Sequence, residues 1–323
     1  MLQTKSFFLP IKKEIIQLNS NLEKMIGAKN PVLYAASKHL FSYGGKRIRP
    51  SIILLLAQIT SPDKKIKRQH HRLAEITEII HTASLVHDDV IDNCEIRRGI
   101  DTVHNTFNTK IAVLAGDFLF AQSSWYLANL NNLEVVKTIS KVIIDFAEGE
   151  VRQGSMNFNS TISIEEYIEK SFYKTGTLIA CSCKATAILS HCKIHEQNNF
   201  YIYGKHLGLA FQIIDDILDI VGDNQVTGKP SSSDLKNGNL TAPLIFALEE
   251  KPELYKVIRK ENHKNEDINK AIDIIKRTKG IQKSKDLAEE HIQIAISMLN
   301  KQIKYNDKRN LMLVSDYILR RFQ

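Results

Sequence analysis

An all-α fold is predicted by three features of this 323-residue chain. Apolar residues recur with the three-to-four spacing of helices over most of its length. Only 14 Gly and 7 Pro interrupt them. Alternating apolar and polar runs bounded by turn residues, the mark of strands, are hard to find. Length alone suggests about two domains, but no Ser/Gly-rich or Pro-rich linker divides the chain. Residues 1–323 are therefore read as one large helical domain.

The first helices are expected over 10–26 and 31–42, the second opened by Pro31, whose missing N–H costs nothing in a first helical turn. Gly44-Gly45 breaks the chain, and a helix over 50–60 is ended by the turn Ser61-Pro62-Asp63. The segment 69–93 is periodic through Leu73, Ile76, Ile80, Ala83, Leu85 and Val86, and runs into a polar tract from Asp92 to Gly99. Further helices are expected over 107–130, 133–154, 163–190 and 195–221. The tract 222–239 is rich in turn residues, and short helices complete the chain.

A net charge of +8 and a pI near 9.1 suit several kinds of anionic partner. The cations are scattered, and the run Lys64 to Arg68 falls between helices as a solvated loop. No pattern of a nucleic-acid-binding module is present, so nucleic acid is not expected as a partner. Cys94, Cys181, Cys183 and Cys192 lack paired CxxC spacing and predict neither a zinc site nor a disulfide framework. The opening apolar run around Phe7 and Phe8 is brief and has no small-residue cleavage site after it. Ile52 to Ile59 is too short to span a bilayer. A soluble protein that is not transmembrane is expected.

One acidic pattern occurs twice, as Asp88-Asp89-Val90-Ile91-Asp92 and as Asp215-Asp216-Ile217-Leu218-Asp219. In each, the i and i+4 carboxylates share a helix face, about 5–6 Å apart between Cβ atoms. Carboxylates at the edge of an apolar helix are costly unless paired or metal-bound. Mg²⁺ suits them, because it takes oxygen ligands, keeps waters and is completed by phosphates. Two such sets facing each other suggest a diphosphate held between them, with an apolar cavity sheltering a carbocation once the C–O bond ionises. Clusters of salt-bridged helix-end acids are the bland alternative. Gly44-Gly45-Lys46-Arg47-Ile48-Arg49-Pro50 joins a turn, three cations and a helix start, a good anion site. It lacks the spacing of a nucleotide P-loop. Arg97-Arg98 follows the first acidic motif at once.

Taken together, these segments resemble the trans-isoprenyl diphosphate synthase family, in its long-chain polyprenyl branch. The resemblance rests on Gly44 to Pro50, His81 to Asp92 with Arg97-Arg98-Gly99, and Ala115 to Leu119. It continues through Gly149 to Gln153, Lys174-Thr175, Phe211 to Asp219, and Gly228-Lys229-Pro230 with Asp234. These occur in the family's order over about residues 31–245, with a family-like Arg near the end. The resemblance implies an isoprenoid-synthase-type helical bundle around a central apolar cavity. It implies that Lys46, Arg49, His81 and Arg98 hold isopentenyl diphosphate, and that Arg97, Lys174, Thr175, Gln212 and Lys229 serve an allylic diphosphate. Asp88, Asp92 and Asp215 would be the principal ligands of about two to three Mg²⁺ ions, supported by Asp89, Asp216 and Asp219. Lys174 and Lys229 would join those ligands in catalysis, and the released diphosphate would take the final proton.

Product length is read from the helix carrying the first motif. Ser84 lies one turn below Asp88, Ala83 one residue further, and Ile80 about two turns, or roughly 11 Å, down the same face. Relatives with short products resemble one another in an aromatic at one of the upper two positions. Here both are small, which implies an open tunnel and a product beyond geranylgeranyl, suited to a quinone side chain. Two departures fall in the lid-like loop: Ser231-Ser232-Ser233 where relatives carry a Gly, and Asn239 where a Lys often follows Gly238. A homodimer is implied, with a peripheral membrane contact to release product. The Ile, Lys and Asn usage fits a bacterial cytoplasm or a plastid stroma, if the chain is organelle-encoded. The competing readings are a class I terpene cyclase and a non-catalytic subunit of a heteromeric synthase. A cyclase usually carries an Asn/Ser/Glu metal motif in place of Asp215–Asp219, and a non-catalytic subunit commonly loses its acidic motifs.

Overall fold

The computed structural model describes residues 7–42, 45–61, 63–97, 99–159, 161–221, 233–258, 265–301 and 305–321. A 3₁₀ turn, Leu9–Ile11, leads into α1 (Lys12–Met25), α2 (Pro31–Ser42), α3 (Ile48–Thr60) and α4 (Arg68–Ile91). Two-residue strands β1 (Ile96–Arg97) and β2 (Ile100–Asp101) pair antiparallel, with Arg97 opposite Ile100. Then come α5 (Val103–Thr106), α6 (Thr109–Ala128), α7 (Leu133–Met156), α8 (Ile164–Ser171), a π turn over Phe172–Gly176 and α9 (Thr177–Leu189). The remainder is α10 (Ile194–Val221), α11 (Ser233–Lys236), α12 (Ala242–Glu250), α13 (Leu254–Ile258), α14 (Asn265–Arg277), α15 (Gly280–Asn300) and α16 (Tyr305–Arg320).

The all-helical expectation holds, with three corrections. The polar tract after Asp92 contains the small hairpin. The helix expected over 163–190 is interrupted by the π turn. The C-terminal helices are not all short, since α15 has 21 residues and α16 has 16. Their apolar stripe is built partly from small residues: Ser284, Ala288, Ile292, Ala295 and Leu299 are buried at helical spacing along α15.

The chain divides into two compact units, neither of them a contiguous stretch of sequence. The first comprises Met1–Ile143, Leu178–Gly204 and Met298–Val314. Within it α4 packs on α3 and α6, α2 and α5 lie on α6, and α1 lies on α4. Ile53, Leu54, Leu56, Leu73, Ile76, Ile79 and Ile80 are fully buried there. Asn30 caps α2 by accepting from the Val32 and Leu33 N–H groups at 3.0 and 3.1 Å. The second unit comprises Ile144–Thr177, Lys205–Ser297 and Ser315–Gln323, with α12 against α8 and α14 and with α13 on α14. Helix α6 is long and apolar enough to cross a membrane by length and composition. All four cysteines are free thiols.

Candidate active site

The first unit holds one acidic cluster. Asp88 and Asp89 lie in the last turn of α4 and Asp92 is its C-cap. A helix C-terminus already bears negative partial charge, so carboxylates crowded there call for cations. The chain supplies one. Arg97 Nε donates to both Asp89 oxygens at 2.6 and 2.7 Å, and Nη2 lies 2.5 Å from Oδ1. Asp89 is 1% and Arg97 7% exposed. Burial opposes the guanidinium's charge, but the Asp89 carboxylate outweighs it and holds the Arg97 pKa above its ordinary value. Asp88 and Asp92 remain half-buried, within reach of solvent.

One face of α4 also carries His81, whose Nε2 lies 2.9 Å from Arg49 Nη1. Lys46 is exposed. Arg47 takes a left-handed φ of 49° and turns inward, donating to Asn19 Oδ1 at 2.9 Å and Glu78 Oε1 at 2.5 Å. The structure thus brings Arg49 and His81 together and commits Arg47 to the core. Next to the motif, His87 packs over Gly116, where a Cβ would stand 2.2 Å from its Nε2. A side chain at 116 would displace the His87 ring. Below the motif, Ile80 and Ala83 are fully buried, and Ser84 is half-buried with its hydroxyl donating to the His81 carbonyl at 2.9 Å.

The second unit repeats the arrangement at the end of α10. Asp216 is 3% exposed. Its Oδ2 accepts from the Tyr167 hydroxyl at 2.6 Å and its Oδ1 from Gln212 Nε2 at 2.7 Å. Gln212 Oε1 accepts from Thr175 Oγ1 at 2.6 Å, which fixes the amide's orientation. Burial, and then the Asp234 carboxylate, push the Asp216 pKa well up, against the hydrogen bond from Tyr167 and the charge of Lys170. Burial and Asp216 likewise raise the Tyr167 pKa, so the phenol stays a donor. Asp215 and Asp219 are half-buried. Asp215 forms an ion pair with Arg321 at 2.6 Å, and Asp219 Oδ2 lies 3.4 Å from the Asp234 N–H.

Lys174 and Thr175 sit in the π turn, a wide turn that re-aims side chains. Gly149 lies against it, where a Cβ would stand 2.9 Å from Tyr173 Cβ. Lys174 Nζ reaches Glu150 Oε1 and Gln153 Oε1, both at 3.1 Å. Arg98 and Lys229 lie outside the described residues, as do Gly44, Gly228 and Pro230. Among the described residues no three His, Cys, Asp or Glu side chains converge as a ready-made metal cage. The donor set is instead one of half-exposed carboxylates, Asp88 and Asp92 at the end of α4 and Asp215 and Asp219 in the last two turns of α10. It fits a cation such as Mg²⁺ that keeps waters and shares phosphate oxygens. The sequence gives no role to Tyr167 or Lys170. Single residues outside any motif, they are distinguished only by tertiary contact.

Residues 30–275 match the family model described as polyprenyl synthetase. A prenyl transferase of Porphyra purpurea is 56% identical over 321 residues, 99% of each chain. The chloroplastic solanesyl diphosphate synthase 2 of Arabidopsis thaliana is 46% identical over 299 residues, 92% of this chain and 72% of that one. The crystal structure of a polyprenyl synthase from Caulobacter crescentus, complexed with calcium and isoprenyl diphosphate, superposes with a TM-score of 0.92 at 28% identity, over 98% of this chain and 97% of that one.

Proposed function

The chain belongs to the polyprenyl synthetase family, and on that premise we propose that it lengthens an allylic diphosphate by successive head-to-tail condensations with isopentenyl diphosphate. The product is a long-chain all-trans polyprenyl diphosphate, for a quinone side chain. The observation that carries this reading is the repeated aspartate motif. In each copy the middle carboxylate is buried and both its oxygens accept from donors of the chain, whereas the i and i+4 members stand half-exposed, with Asp215 against Arg321. Asp88 and Asp92 of the first motif and Asp215 of the second, with Asp219 in support, would hold Mg²⁺. When bound, Mg²⁺ would supply the positive charge that offsets the charge of the departing diphosphate.

Arg49 and His81, with Lys46 and Arg98, hold isopentenyl diphosphate in this scheme. Lys174, Thr175, Gln212 and Lys229 serve the allylic diphosphate, and Arg97 contributes to that side while bound to Asp89. The allylic C–O bond breaks with its electron pair going to diphosphate. The double bond of isopentenyl diphosphate forms the new C–C bond, and the proton lost afterwards goes to the released diphosphate. Buried Ile80 and Ala83 and half-buried Ser84 line the path of the growing tail. The outward side of α6, with Val113 39%, Leu114 46% and Trp125 61% exposed, supports a homodimer in which a second copy covers it. The algal and chloroplastic relatives support a plastid or bacterial setting. The same assignment predicts that Asp88→Ala or Asp215→Ala lowers turnover by about three orders of magnitude or more. Wild-type turnover in EDTA, or a near-normal rate for either variant, would defeat it.

A further inference from the structure

One buried cation of the second unit has no part in this scheme. Lys170 lies on α8 one turn before Lys174 and is 5% exposed. Its ammonium donates to the Asn239 side-chain oxygen at 2.5 Å and to the Leu240 carbonyl at 3.2 Å. Asn239 donates in turn to Asp234 through its side chain at 3.0 Å and its backbone at 2.8 Å. The Asp234 N–H points to Asp219. Tyr167, one turn back on α8, donates to Asp216, and its ring centroid is 5.6 Å from the Lys170 ammonium. One turn of helix therefore grips the second aspartate motif through Tyr167 and the 234–240 segment through Lys170.

Burying an ammonium is expensive, and an apolar side chain of similar length would pack there at less cost. What an apolar residue cannot do is donate to Asn239 and to the Leu240 carbonyl beside the Asp234 side chain. Here the amine arrives from α8 and meets Asn239.

We propose that Lys170 is a positioning residue of the second aspartate motif: clamped between Asn239 and Leu240, its ammonium holds segment 234–240 at the acidic end of α10 and so sets how Asp215 and Asp219 meet a magnesium–diphosphate ligand. The inference rests on the function proposed above. It is tested on the full-length chain with Lys170→Met, Asn239→Lys and the double variant. The readouts are thermal melting, KM for each substrate, the Mg²⁺ dependence of activity, and calorimetric binding of inorganic diphosphate in Mg²⁺. Lys170→Met is expected to raise the half-saturating Mg²⁺, the allylic KM and the diphosphate Kd about tenfold each, the size of one lost charge-assisted contact. KM for isopentenyl diphosphate stays constant. The double variant, which returns an amine to the same place from the other side, recovers most of the loss. Should Lys170→Met not fold, Lys170→Gln carries the same comparison.

An unchanged Mg²⁺ dependence and diphosphate affinity would overturn the proposal. So would a parallel rise in both KM values with a lowered Tm and no recovery in the double variant, which marks a packing role alone. A wild-type chain that binds magnesium and diphosphate yet elongates nothing would sink the prenyl-transfer reading, while the diphosphate comparison still decides the role of Lys170.

Discussion

Asp89 and Asp216 occupy the second place of their motifs and behave alike. Both are buried, and both carboxylate oxygens accept from donors of the chain: Arg97 for Asp89, Tyr167 and Gln212 for Asp216. Their neighbours at i−1 and i+3 keep access to solvent. A reading by spacing alone finds all six carboxylates, because i, i+1 and i+4 are visible in any string of letters. It cannot tell the anchor from the ligand, since that depends on which donors fold against each oxygen. The same blindness covers Arg97, whose place after the motif implies a diphosphate ligand and whose guanidinium is found on Asp89. The division of labour has a stability consequence. Asp89→Ala leaves Arg97 as a buried, unpaired charge and is expected to cost about 3 to 5 kcal/mol. Asp88→Ala, at a half-exposed position, should leave the melting temperature nearly unchanged while abolishing turnover. Denaturant unfolding of the two variants side by side checks this, and equal losses of stability would refute it.

Helix α4 joins both kinds of information in one element. Its N-terminus is closed by His70, whose Nδ1 accepts from the Lys67 N–H at 3.2 Å and whose Nε2 is 3.1 Å from Ser190 Oγ. Burial first, then the charge of Lys67, lower the His70 pKa to about 4. The neutral ring is therefore the folded form. Between pH 6.5 and about 4 the unfolded chain binds the proton and the native ring does not, so this contribution is complete above pH 6.5 and is lost as pH falls through that window. The loss is of order 3 kcal/mol, and His70→Gln should flatten the fall in Tm between pH 7 and 4. At the other end of the helix, Ala83→Tyr or Ser84→Phe should shorten the product while sparing the first condensation, because a ring there obstructs the tail without touching the aspartates. Unchanged product length in both variants would place the floor elsewhere. The helix itself is plain in the sequence from its apolar period. The π turn after α8 is not, because one inserted residue shifts the phase of an already apolar pattern by about 100°. Only the packing of Gly149 on Tyr173 and of Thr175 on Gln212 shows why the extra residue is there.

Across the whole molecule, each compact unit carries one aspartate motif and one of the two groups of polar side chains proposed to hold a diphosphate. Arg49 and His81 belong to the first, Lys174, Thr175 and Gln212 to the second. A reaction of two diphosphate substrates uses both sets, which is why the entire chain 1–323 is proposed as one synthase domain. A terpene cyclase would have no use for a second diphosphate site. The fold class and the order of the motifs were legible because they depend on helical period and on local strings of residues. The α8 anchors and the hairpin that carries Arg97 were not, since long-range contact creates them. A chain that carries both motifs and both sets of polar groups should elongate prenyl diphosphates without a partner subunit. The purified chain, incubated with labelled isopentenyl diphosphate, geranylgeranyl diphosphate and Mg²⁺, is expected to yield, after dephosphorylation and chromatography, an all-trans alcohol longer than geranylgeraniol, and none when EDTA is present. No elongation under these conditions, or a geranyl diphosphate primer extended no further than farnesyl, would contradict the account.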